Sequence, residues 1–141
     1  TIMDGSIKAR SQKRPQGLEM FEKTLGIIGA GRIGQGVGRR CRGFNMKILA
    51  YDVFEEESFK KETGAEYVDF ETLLRESDFI TVHSPLTEET HNMISTEQFK
   101  IMKKDAILVN TARGGVIDEE ALYAALESGE IRGAALDATV D

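Results

Sequence analysis

The sequence predicts an α/β fold, a doubly wound and mostly parallel six-stranded sheet with helices on both faces. Two observations predict it. From residue 24 onward, short apolar runs alternate with amphipathic stretches, the pattern that buried parallel strands and their helical crossovers produce. The first apolar run also ends in a glycine-rich turn that opens straight into a helical stretch, which marks the carboxyl ends of the strands as the ligand-binding edge.

In chain order, Thr1 to Lys23 reads as a linker or arm. It is polar, basic in patches (Lys8, Arg10, Lys13, Arg14) and interrupted by Pro15 and Gly17, which prevent a continuous helix. A solvated connection from another domain explains it better than a tail for nucleic acid. The domain proper runs from residue 24 to 141. Its expected strands are Thr24 to Ile28, Met46 to Tyr51, Ala65 to Val68, Phe79 to His83, Ala106 to Asn110 and Ala134 to Ala138. Between them, helical periodicity covers Ile33 to Phe44, Phe54 to Glu62, Phe70 to Glu76, Thr96 to Met102 and Glu119 to Ser128. Asp69 and Asp118 stand where N-caps belong, because their side-chain oxygens can take free amides of the following first turn. Ile33, Val37 and Cys41 share one helix face, so Cys41 is expected to pack as a small hydrophobe and not to act as a thiol.

Composition narrows the function. The chain has 141 residues, 40% of them hydrophobic, enough for the core of one domain. A net charge of -6 disfavours nucleic acid and anionic membrane as partners, because both would repel the surface. No apolar run is long enough to span a bilayer, and no signal peptide is recognisable, so a cytoplasmic location is expected. With a single cysteine there is no disulfide framework and no cysteine-based metal cluster; no metal is expected.

The chemistry begins at Leu25-Gly26-Ile27-Ile28-Gly29-Ala30-Gly31-Arg32-Ile33-Gly34, a strand running into a G-x-G-x-x-G turn. Gly29 permits the tight turn, Gly31 leaves room for a pyrophosphate against the backbone, and Gly34 lets the helix approach the strand. Free amides near Arg32 and Ile33 then face the phosphate oxygens. The second expected strand ends in Asp52, at the separation where a carboxylate hydrogen-bonds a ribose diol. That carboxylate repels a 2′-phosphate. Val53-Phe54-Glu55-Glu56-Glu57 follow without an arginine to neutralise one, so NAD is expected over NADP. Taken alone, Asp52 could also be a turn residue that ends its strand.

Three further segments add a resemblance. They are Val82-His83-Ser84-Pro85-Leu86-Thr87 with Glu89-Thr90, then Leu108-Val109-Asn110-Thr111-Ala112-Arg113-Gly114-Gly115, then Gly133-Ala134-Ala135-Leu136-Asp137. In this order, after the glycine turn, they resemble the D-isomer-specific 2-hydroxyacid dehydrogenases, which include phosphoglycerate, glycerate, hydroxypyruvate and D-lactate dehydrogenases. The resemblance implies a Rossmann domain in which Arg32 and Ile33 meet the pyrophosphate and Asp52 takes the adenosine ribose. It places His83, Ser84, Pro85 and Thr90 along the cofactor groove and Thr111 and Ala112 beside the nicotinamide. Arg113 matches the catalytic arginine, and Asp137 the residue that accepts from the nicotinamide carboxamide.

An arginine suits that role, since it holds a substrate carboxylate in two parallel hydrogen bonds and polarises the carbonyl that receives hydride. Without the resemblance, Arg113 would read as an exposed loop charge and Asp137 as a strand end. The resemblance further implies a glutamate directly after Asp141 and an acid/base histidine beyond it, so this chain alone is expected to bind NAD with little or no turnover. His83 is expected to shape the groove or pack, and His91 to be solvated. A 2-hydroxy or 2-keto acid is the implied substrate and a homodimer the implied assembly, with the arm able to reach a partner subunit. A dinucleotide-sensing corepressor and a formate dehydrogenase of the same superfamily remain open alternatives. Two departures stand out. Glu22 occupies a usual glycine position before Lys23-Thr24, and Gly36 and Gly38 lie inside the first helix, each costing roughly 0.5 to 1 kcal/mol against alanine.

Overall fold

The computed structural model describes residues 17–140. Six strands, β1 (Thr24–Ile28), β2 (Lys47–Tyr51), β3 (Glu66–Tyr67), β4 (Phe79–Val82), β5 (Ile107–Asn110) and β6 (Gly133–Leu136), pair in the order β3-β2-β1-β4-β5-β6. Every pairing is parallel, so the expected sheet is realised without an antiparallel strand. The winding reverses between β1 and β4, and the crevice beyond their carboxyl ends is where such sheets bind ligands.

Helices α1 (Arg32–Cys41), α2 (Glu57–Thr63), α3 (Phe70–Glu76), α4 (Thr96–Ile101) and α5 (Glu119–Ser128) cover both faces. Alternation along each strand divides the core in two. Ile27, Ile48 and Ala50 pack with Cys41 of α1 and Phe59 of α2. Their neighbours Ile28 and Leu49 join Ile80, Val82 and Leu108 against Leu73, Phe99 and Leu122 of α3, α4 and α5. Cys41 is buried as expected, and burial pushes its thiol pKa up, away from the reactive thiolate.

Asp69 and Asp118 cap as expected, accepting from the amides of Thr72 at 2.7 Å and Ala121 at 3.2 Å. Several boundaries differ from the sequence reading. The helix expected from Phe54 starts at Glu57, because Val53 and Phe54 lie exposed in the connecting turn and the Glu56 amide donates to the Tyr67 hydroxyl. The first helix yields to a 3-10 turn, Arg42–Phe44, which ends on Asn45 in the left-handed region. The third strand shrinks from Ala65–Val68 to the two residues of β3, an edge strand supported by β2 alone.

Residues 1–16, with most of the expected arm and its basic patches, lie outside the described residues. Packing nonetheless reaches back beyond Thr24. Met20 rests on the Cys41 and Phe59 cluster, and the Lys23 carbonyl accepts from the Lys47 amide at 3.0 Å, which extends the β1–β2 ladder by one rung.

Candidate functional site

Strand register builds the site. Tyr51, Ile28, Val82, Asn110 and Leu136 are aligned in one row across the sheet. The next residue on each strand therefore emerges at the same edge: Asp52, Gly29, His83, Thr111 and Asp137. Four strand spacings of about 4.8 Å separate the first from the last by roughly 19 Å, so the row suits an elongated ligand.

At its middle, Gly29 has φ +87°, and a Cβ there would lie 2.7 Å from the Ser84 nitrogen. Only glycine serves, for conformation and for closeness to the end of β4. Gly34 is equally constrained, since a Cβ would strike the Gly29 carbonyl oxygen. Gly31 is different. Nothing lies within 4 Å of where its Cβ would be, so that space is open to a ligand. Helix α1 begins there with no side-chain cap and no acidic residue in its first turn, whereas α3 and α5 are capped by aspartates. An uncapped helix start beside open space fits a pyrophosphate, whose oxygens would take the free amides.

Two clefts meet on this edge. One of about 570 Å³ is bordered by Gly29, Gly31, Asp52, Pro85 and Thr90; another of about 320 Å³ is bordered by Ile33, Thr111, Ala112 and Arg113. His83, Ser84 and Pro85 line both, so they form one groove from Asp52 to Arg113. A larger depression of about 740 Å³ between α3 and α4 contains none of the expected site residues.

Each wall has its own support. One Asp52 oxygen accepts from the Val53 amide at 2.7 Å. Thr90 donates its hydroxyl to the Pro85 carbonyl at 2.6 Å, so it shapes the groove by holding the turn after β4. His83 is half-buried, with Nε2 at 2.8 Å from the Thr81 hydroxyl, and burial lowers its pKa. The Thr81 contact holds the imidazole where it lines both clefts. His91 is exposed, as expected. Arg113 is exposed at the far end, where its guanidinium donates to the Ala112 carbonyl at 2.8 Å. Arg32 is exposed at the start of α1. Asp137 is exposed just past β6, lines neither cleft, and is fixed through its amide to the Asn110 carbonyl at 2.9 Å.

Sequence reasoning passed over several contributors. Tyr51, Thr87, Glu89 and Met93 also line the Asp52 cleft, and nothing in their residue types signals this. From the sequence Asn110 reads only as a strand end within the arginine motif. The residue is 1% exposed, and its carboxamide clasps the turn that carries Arg113. Gly114 owes its place to the chain after β6, because a Cβ would strike the Thr139 carbonyl. Among the described residues, no group of three or more His, Cys, Asp or Glu is arranged to hold a metal, and no helix is long and apolar enough to cross a membrane.

Comparison with known proteins agrees with this geometry. The family model described as "D-isomer specific 2-hydroxyacid dehydrogenase, NAD binding domain" matches residues 2–141. A glyoxylate reductase of Korarchaeum cryptofilum is 57% identical over 121 residues, 86% of this chain and 36% of that protein. A D-3-phosphoglycerate dehydrogenase of Methanocaldococcus jannaschii is 51% identical over 127 residues, 89% of this chain and 24% of that protein. The chain thus spans about a third or less of the length of these curated relatives. Among solved structures, D-lactate dehydrogenase with NAD+ from Lactobacillus jensenii superposes with a TM-score of 0.90 at 39% identity, covering 99% of this chain and 42% of that one. The fold is therefore that of a known domain, and the chain belongs to the D-isomer-specific 2-hydroxyacid dehydrogenase family as its NAD-binding domain.

Proposed function

We propose that this domain supplies the cofactor side of hydride transfer between NAD(H) and a 2-hydroxy or 2-keto acid of D configuration. The observation that carries the reading is the continuous groove joining Asp52 to Arg113 across the open Gly31 turn. Bound NAD would supply the nicotinamide that gives or takes the hydride. The α1 amides by Arg32 and Ile33 would hold the pyrophosphate, and Asp52 the adenosine ribose. The Asp52 carboxylate would reject a 2′-phosphate by like-charge repulsion. Ser84, Pro85 and the backbone of Thr111 and Ala112 would border the nicotinamide half, with Asp137 accepting from its carboxamide. Arg113 would grip the substrate carboxylate through two parallel hydrogen bonds and stabilise negative charge on the adjacent oxygen.

Neither histidine of this chain is assigned the acid/base role, since His83 is tied to Thr81 and His91 lies exposed in the turn beside Gly115. The chain alone is therefore expected to bind NAD without turning over a 2-hydroxy acid. The family resemblance supports a homodimer and the acidic, cysteine-poor composition a cytoplasmic location.

Calorimetric titration with NADH and NADPH, repeated on Asp52→Ala, tests the reading. We expect NADH to bind in preference and the mutant to lose affinity or selectivity. Equal binding of the two nucleotides by the unaltered chain would sink it.

A further inference from the structure

The chain beyond β6 is fastened at three points, two on the end of β5 and the turn that carries Arg113 and one on the start of α5. The Asp137 amide donates to the Asn110 carbonyl at 2.9 Å. Thr139 lies so close to Gly114 that a Cβ there would strike its carbonyl and sit 2.8 Å from the Val140 nitrogen. The Val140 amide then donates to the Glu119 carboxylate at 2.8 Å. The first two contacts involve backbone alone, so any residue could supply the Asn110 carbonyl and only a small one could stand at 114. The third depends on a side chain. Glu119 is the first residue of α5, and it reaches across 21 positions of sequence to a segment with no regular structure of its own.

A carboxylate at the start of a helix is ordinarily explained by the helix dipole or by capping. Here the cap is already supplied by Asp118, which accepts from the Ala121 amide. Glu119 Oε1 instead accepts from a backbone amide outside the helix. Removing the side chain would free Val140 while leaving the cap of α5 intact.

We propose that Glu119 is a positioning residue for the nicotinamide end of the groove. By holding Val140 it fixes residues 137–140 against the Arg113 turn, and so sets where Asp137 stands relative to Thr111 and Arg113. The inference rests on the cofactor reading above, because it gives Asp137 and the Arg113 turn to the nicotinamide half. Asp52, on the far side of β1 and β4, is outside its reach.

The test compares NADH with ADP-ribose, which shares the adenosine, pyrophosphate and second ribose but lacks the nicotinamide. Affinities are measured calorimetrically on the unaltered chain, Glu119→Ala and Glu119→Gln. A typical hydrogen bond corresponds to a change of roughly three- to tenfold. Glu119→Ala is expected to lose that much NADH affinity and to keep its ADP-ribose affinity. Glu119→Gln retains a carbonyl acceptor and is expected to remain near the unaltered chain. As a second, independent arm, Gly114→Ala displaces Thr139 from the other side and is expected to reproduce the selective loss.

An unchanged NADH to ADP-ribose ratio in Glu119→Ala would overturn the proposal while leaving the cofactor reading intact, and equal losses for both ligands would reduce Glu119 to a structural role. Glutamine as weak as alanine would show that the hydrogen bond is not the cause. Failure of the unaltered chain to prefer NADH over ADP-ribose would leave no nicotinamide contact to position, and failure to bind either would remove the cofactor reading itself.

Discussion

The side-chain amide of Asn110 donates to the backbone carbonyl of Arg113 at 2.9 Å, while its carbonyl accepts from the Ala112 amide at 2.9 Å. One buried carboxamide thus closes the turn in which the arginine stands. The contact fixes the backbone at Arg113, whose side chain is exposed. Asn110→Ala would remove both bonds from the Ala112 amide and the Arg113 carbonyl, and two lost hydrogen bonds of this kind cost about 2 kcal/mol. Urea unfolding should report that loss. A midpoint unchanged from the parent would mean that the turn holds itself without Asn110.

That clasp marks the limit of what the sequence could tell. The glycine turn, Asp52 and the arginine motif were legible because each is local: a tight turn, a strand end and a loop advertise themselves in neighbouring residues. Asn110 was legible only as a polar residue ending a strand, although a short polar side chain that can bond backbone two or three residues on is a recognised turn signal. Phe54 misled the start of α2 because periodicity counts apolar residues without knowing that this one is exposed. The register that brings Asp52, His83 and Asp137 to one edge depends on pairings between distant segments, which no local pattern encodes.

Long-range contact also explains a glycine that looked costly. A Cβ at Gly38 would lie 2.7 Å from the buried Phe59 ring and 3.1 Å from Ile27, whereas at Gly36 it would meet only the end of Arg40 at 3.1 Å. Gly38→Ala therefore overpacks the interface between α1, α2 and β1, and a penalty of roughly 1 to 3 kcal/mol outweighs the gain in helix propensity. Gly36→Ala moves a flexible, exposed side chain and should add about 0.5 to 1 kcal/mol. Thermal melts of the two single mutants should shift in opposite directions. Equal shifts would show that Phe59 yields, and that Gly38 has no packing role.

Glu22 is one of three non-glycine residues with positive φ among the described residues, and the other two are asparagines, which tolerate that region better. Its φ of 60° is held by its own amide donating to Phe44 and by the Lys23 amide donating to Met20. By the family resemblance, glycine is usual at this position. Glu22→Gly relieves the left-handed strain and gives back part of that gain through a more flexible unfolded chain, for a net stabilisation of about 0.5 kcal/mol. A lowered midpoint in denaturant would mean that the glutamate side chain contributes more than its backbone strain removes.

Acid should act through the junction of α4 and α5. The Ser95 hydroxyl donates to Asp118 at 2.7 Å, and this bond, followed by that from the Ala121 amide, holds the Asp118 carboxyl below the usual carboxylate range. Beside it, Ile94 and Ile117 form a parallel bridge, so the bond fastens the segment after the Thr90 turn to the segment after Gly115. A depressed folded pKa means that the unfolded chain binds the proton more readily. The stabilisation is therefore fully present above the unfolded value of about 3.9 and is lost as pH falls through the lower folded value. Asp118→Asn keeps a capping oxygen but cannot ionise. The stability gap between parent and mutant should be present at pH 5 and close as the pH drops below 4. In Ser95→Ala the first cause of the shift is gone, so the acid sensitivity carried by Asp118 should shrink. A gap that persists unchanged at pH 3 would show that the lost stabilisation lies in geometry and not in the charge of Asp118.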